Sequence, residues 1–199
     1  MKGYPSYADT REYLKQVAAL LEQIPEQCDR FVEALYRGFE EQRTVFLIGN
    51  GGSAANASHF GQDLAKGTLA SMSATRRFRV IPLTDNIGFI TALANDEGYD
   101  SIFEQQLRNL ASAGDLLVAI SGSGNSPNVL RAVEYARSIG MRTIGITGYD
   151  GGKLLRLADE SVHIPIDDMG MVEALHGVVF HHAMCFLRER LTRAEAGGR

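Results

Sequence analysis

Five short apolar, β-rich runs stand along the chain with helix-length segments between them. They are TVFLI (Thr44 to Ile48), FRVIPL (Phe78 to Leu83), LLVAIS (Leu116 to Ser121), RTIGIT (Arg142 to Thr147) and SVHIPI (Ser161 to Ile166). Runs with almost no polar face suit strands covered on both sides, and strands alternating with helices pair in parallel through crossovers. The pattern predicts a doubly wound α/β domain around a five-stranded parallel sheet. In flavodoxin-like order the first and third strands meet at the switch point, where ligands enter beyond the carboxyl ends of the strands. The first run enters GNGGS (Gly49 to Ser53) and the third enters SGSGNS (Ser121 to Ser126), so both glycine-rich loops are predicted to face one crevice.

Helices flank this core. From Tyr7 to Gln42 apolar residues recur at helical spacing (Leu14, Val17, Leu20, Leu21, then Phe31, Leu35, Phe39), and Pro25 stands where a second helix could start. This predicts a helical hairpin, or one kinked helix, over residues 1–42, ahead of a core over 43–199 in the same single domain. A last helix is expected from about Met171 to Arg193, carrying Leu175, Val178, Val179 and Leu187, with residues 194–199 as a frayed tail. Leu14, Val17, Leu21, Phe31 and Leu35 exceed what one face of a small sheet covers, which predicts self-association.

Composition narrows the partners. Among 199 residues, 20 are basic and 24 acidic, a net charge of −4. No basic stripe is available for nucleic acid and no polybasic patch for a membrane surface. The N-terminus lacks an apolar leader core, and no stretch reaches the ~18 consecutive apolar residues of a membrane span. A cytoplasmic protein is expected. Cys28 and Cys185 lie far apart in apolar helical stretches, without CxxC spacing, and are expected to be buried free thiols.

The second glycine-rich loop offers Ser121, Ser123, Asn125 and Ser126, then a helix opening at Pro127. Free amides, a helix dipole and small hydroxyls form an anion cradle, and phosphate is the expected anion. Gly49 and Gly51 supply half of a dinucleotide fingerprint, but Ala54 breaks it and Leu69 to Ala74 hold no acidic residue. A small phosphorylated metabolite fits better than a nucleotide. His59 and Asp63 are four apart on the helix after the first loop. Glu173 and His181, eight apart on the last helix, fall within a sector of roughly 80°, with Gly177 leaving room between them. Two helices that each offer one imidazole and one carboxylate could build a metal site or an acid/base pair. His163, His176 and His182 are expected to be structural.

The segments GNGGSAANASHF, TDN (Thr84 to Asn86), ALANDEGYDSIF, GDLLVAISGSGNSPNVLRAVEYA and ITGYDGGKL resemble the sugar isomerase (SIS) domain family, in particular its phosphoheptose isomerase type. The resemblance implies an enzyme that moves a proton between neighbouring carbons of a sugar phosphate through an enediol(ate), with sedoheptulose 7-phosphate and a heptose 7-phosphate as the pair. It implies a phosphate site at Ser53, Ser121, Ser123 and Ser126, completed by Gly51, Gly52, Gly122 and Asn125, with Asn50 and Asp96 near the sugar hydroxyls. Asp63 and His181 are the implied catalytic residues. His59, Asp63, Glu173 and His181 are the implied ligands of Zn2+ or another first-row ion, and a homotetramer with sites between subunits is implied. Four positions depart from the family pattern: Asp63 replaces Glu, Glu173 stands where Gln is usual, Gly122 replaces Thr, and an Arg usual near Gly67 is absent, with Lys66 adjacent. A related branch of tetrameric adaptors for the replication initiator DnaA lacks the His and carboxylate set.

Overall fold

The computed structural model of the chain describes Tyr7 and residues 9–197. All five strands form: β1 (Thr44–Gly49), β2 (Arg79–Pro82), β3 (Leu116–Ser121), β4 (Arg142–Thr147) and β5 (Glu160–His163). They pair in parallel in the order β2-β1-β3-β4-β5, the doubly wound order expected from the sequence. Gly49 lies opposite Ile120, so β1 and β3 end almost level and release their two loops side by side.

Alternation along the strands explains why they have no polar face. Val45 and Leu47 of β1 pack into one core, and Phe46 and Ile48 into the other. On the first face lie α1 (Thr10–Leu21), α2 (Pro25–Glu40), α3 (Gly52–Gln62) and α8 (Met169–Gly197); on the second lie α5 (Glu104–Leu110), α6 (Pro127–Ser138) and the short α7 (Leu154–Leu157). Phe60 of α3 stacks on Phe180 of α8 with ring centroids 4.5 Å apart, and Phe31 of α2 meets both. This aromatic knot fixes α3 beside α8, the two helices singled out for chemistry.

Of the two N-terminal alternatives, two separate helices form, broken at residues 22–24, with Pro25 opening α2 and α1 packing against α8. Other expectations are corrected. Strand β5 stops at His163, because Pro165 has no N–H for the ladder. Strand β2 is an edge with exposed Arg79 and Ile81, and α4 (Ile87–Asp96) beyond it has no buried residue, so that end of the sheet is not covered on both faces within one chain. Helix α8 runs on to Gly197, through residues expected to form a loose tail; 198 and 199 lie outside the described residues. By length and composition alone this helix is long and apolar enough to cross a membrane. Its Val172, Leu175, Val179, Phe180, Ala183 and Leu187 are buried in the chain's own core. Both cysteines are free, but Cys185 is exposed on α8 and only Cys28 is buried. Phe31 and Leu35 are also inside the core, so they contribute nothing to self-association; Leu14 remains exposed.

Candidate active site

The two glycine-rich loops meet at the switch point through a pair of amides. Asn50 donates from Nδ2 to Oδ1 of Asn128 at 2.9 Å, and Asn128 returns the same bond at 2.9 Å. Tyr99 donates its hydroxyl to Asn50 Oδ1 at 3.0 Å. Asn50 is therefore held from both sides. Asn128 and Tyr99 were not picked out from the sequence. An amide in the first turn of an otherwise apolar helix face, 1% exposed here, was the available signal for Asn128. Asp96 ends α4, three residues before Tyr99, and accepts from Asn95 at 2.7 Å.

In the second loop Ser121 and Ser126 turn toward each other, while Ser123 is exposed and its Oγ accepts from the Asn125 N–H at 3.3 Å. Ser126 stands at the N-cap of α6, yet its side chain makes no capping bond; its Oγ lies 3.3 Å from Ser121 Oγ. Ser53 and Ser121 are both buried at their loops, and the α3 N-terminus behind Gly51 likewise has no side-chain cap. Two uncapped helix N-termini with converging hydroxyls suit an anion. Asn125 instead builds the loop: its Nδ2 donates to the Ser123 carbonyl at 2.9 Å and its Oδ1 accepts from Lys153 N–H at 3.2 Å. Gly124, at φ +63°, must be glycine twice over, since a Cβ would stand 2.0 Å from the Gly151 carbonyl oxygen. At Gly122 a Cβ would meet Met169 Sδ at 2.6 Å. Met169 thus occupies the space a threonine side chain would need.

Two turns along α3 lies the second half of the site. Asp63 Oδ2 is 3.7 Å from His59 Nε2 and 3.5 Å from His181 Nε2. The imidazoles cross edge to face, with centroids 5.0 Å apart. Asp63 is 11% exposed as a side chain, whereas His59 and His181 are 56% and 54% exposed. A shielded carboxylate thus stands between two open imidazoles. One donor atom from each lies within 4.8 Å of the others, and two nitrogens with one carboxylate oxygen fit a first-row divalent ion that keeps an open position. Glu173 is placed elsewhere: its carboxylate lies against Gly52, where a Cβ would be 2.3 Å from Oε1. Helix geometry puts seven residues, roughly 10 Å, between Gly52 and His59. Space above Gly177 is open, as its position between Glu173 and His181 suggested. Lys66 is exposed.

The remaining histidines contact the fold: His182 packs its ring on Phe186, with centroids 4.5 Å apart. His176 is completely buried, with Nε2 3.1 Å from the Thr147 carbonyl oxygen, and burial pushes its pKa down to about 4. His163 pairs with the Thr147 hydroxyl at 3.0 Å, and burial lowers its pKa as well.

Comparison with known proteins agrees with this geometry. Residues 12–148 match the SIS domain family. Over 169 residues the chain is 38% identical to the phosphoheptose isomerase of Aliarcobacter butzleri, covering 85% of this chain and 87% of that one. It is 36% identical over 187 residues to the probable phosphoheptose isomerase of Thermoplasma acidophilum, covering 92% and 99%. The solved phosphoheptose isomerase of Neisseria gonorrhoeae superposes with a TM-score of 0.82 at 29% identity, covering 90% and 94%. That of Francisella tularensis gives 0.82 at 27% identity, covering 90% and 96%. The chain belongs to the SIS domain family and, within it, to the phosphoheptose isomerases.

Proposed function

We propose that the protein interconverts sedoheptulose 7-phosphate and a heptose 7-phosphate in the cytoplasm, working as a homotetramer. The observation that carries this reading is the approach of Asp63 to both His59 and His181, along the helix that the first glycine-rich loop opens. A non-catalytic adaptor has no use for that arrangement.

Ser53, Ser121, Ser123 and Ser126, with the amides of Gly51, Gly52 and Gly122, bind the phosphate. Binding there orients the distant carbonyl end of the sugar. Asn50, held by Asn128 and Tyr99, and Asp96 position hydroxyl groups. Asp63 takes a proton from C1 of the ketose, exchanges it with water, and delivers a proton to C2. His181 moves the proton between the two oxygens as the enediol(ate) forms and collapses, since an imidazole exchanges protons near neutral pH. His59, Asp63 and His181 would hold Zn2+, while Glu173, with its carboxylate against Gly52, stands outside that set. When bound, the ion polarises the carbonyl and stabilises negative charge on oxygen.

The half-exposed imidazoles favour a site finished by a second copy. On α8, Val178, Cys185 and Phe186 are exposed around His181, giving an apolar rim to an otherwise polar site. Asp63→Asn and His181→Asn are each expected to lower kcat by about a hundredfold or more with sedoheptulose 7-phosphate. Wild-type rates in either variant would overturn the assignment. Elemental analysis should find close to one zinc per chain, and a chelator should lower activity. A metal-free protein indifferent to chelator would leave proton transfer to Asp63 and His181 alone.

A further inference from the structure

Helix α3 does not finish as an α-helix. Asp63–Gly67 form a single π turn, closed by Thr68 N–H donating to the Asp63 carbonyl at 3.1 Å. Thr68 is 1% exposed, and its hydroxyl donates to the Leu64 carbonyl at 2.7 Å. Two bonds from one buried residue therefore clamp the backbone at Asp63. The wide turn also lays Gly67 against α8. A Cβ at Gly67 would stand 3.0 Å from Cγ and 3.2 Å from Sδ of Met184, and 3.8 Å from the Cβ of Asp63. Met184 is three residues beyond His181, almost one turn. Beyond the aromatic knot, Gly67 is thus the contact nearest Asp63 that lets α8 come this close.

Single π turns are rare and recur at functional sites, where the added residue re-aims a side chain without ending the helix. Here the re-aimed group is a short one. A glutamate could reach between two helices by bending its longer stem. An aspartate has one fewer torsion and depends on where its backbone is held. We propose that Gly67 and Thr68 are positioning residues: the π turn they close places the Asp63 carboxylate between His59 and His181. This rests on the reading of those three residues as the reacting centre. The two bonds of Thr68 fix the carboxylate's backbone, and the missing side chain of Gly67 lets α8 come close.

The test combines crystal structures with kinetics of Gly67→Ala, Thr68→Val and Thr68→Ser. In Gly67→Ala and Thr68→Val the separation of Asp63 Oδ2 from His181 Nε2 should widen beyond 3.5 Å. Their kcat should fall about tenfold, since small misplacements of a reacting group are costly, while KM stays within about twofold. Adding Met184→Ala to Gly67→Ala gives the new methyl its room and should restore most of the loss relative to Met184→Ala alone. Thr68→Ser keeps the hydroxyl and should recover most of what Thr68→Val loses. An unchanged separation, a widened one with unchanged kcat, no rescue by Met184→Ala, or equal losses in Thr68→Val and Thr68→Ser would each overturn the proposal. If Gly67→Ala does not fold, the Thr68 pair decides it. If the wild type does not turn over sedoheptulose 7-phosphate, the substrate reading fails, and the separations in the variant structures still decide the role of the π turn.

Discussion

The serine hydroxyls carry the clearest residue-scale consequence. Ser126 would cap α6 in an ordinary helix start, but its hydroxyl faces Ser121 instead, and Asn128 Oδ1 takes the Val129 N–H. Ser126→Ala should therefore leave folding almost untouched and weaken sugar phosphate binding. A hydrogen bond to a charged acceptor contributes about 1.5–3 kcal/mol, so titration calorimetry should show a loss of roughly ten- to a hundredfold. Ser123→Ala should behave alike, and unchanged affinity in both would show the cradle to be misplaced. The position of the serine loops was legible in the sequence because glycine-rich runs follow the first and third strands directly. Asn128 and Tyr99 were not, since a single amide or phenol carries no periodicity and gains meaning only when the chain brings Asn50 to it.

Among elements, α8 joins the site to the sheet through a buried histidine. His176 sits against the end of β4 at the Thr147 carbonyl, neutral because burial disfavours its charge. Its pKa is lower folded than unfolded, so the unfolded chain binds the extra proton. Stability from this group is complete above about pH 6.5 and is lost as pH falls toward 4. By pH 5 the loss should be about 2 kcal/mol. Urea denaturation at pH 7 and pH 5 should show it, and His176→Gln should flatten the dependence; an equal slope in both proteins would contradict this role. Element types and sheet order followed from the apolar runs. Their ends did not: Pro165 cut β5 short, and edge strand β2 kept alternating exposure that its composition conceals. The π turn at Asp63–Gly67 was also illegible, because its sequence, DLAKG, reads as ordinary helix.

At the scale of the whole molecule, one chain leaves apolar surface that asks for cover. Leu14 on α1, Ile87 on α4 and Phe186 on α8 are each more than half exposed, at 57%, 71% and 53%. The sequence pointed to surplus apolar residues but chose them partly wrongly, since helical spacing cannot tell a core face from an interface. A proton-transfer pair such as His181 and Asp63 works best away from bulk water, and a second copy over α8 would supply that shelter. Phe186→Glu should shift sedimentation from tetramer toward smaller species and lower activity with it; a wild-type protein that sediments as a monomer at micromolar concentration would remove the basis for a shared site. The most direct test of the chemistry is the conversion of sedoheptulose 7-phosphate in D2O, followed by NMR of the aldose. Transfer through Asp63 and an enediol(ate) should place solvent deuterium at C2 of the product, with conversion and label both lost in Asp63→Asn. A product formed without deuterium, or no product at all from the wild type, would contradict it.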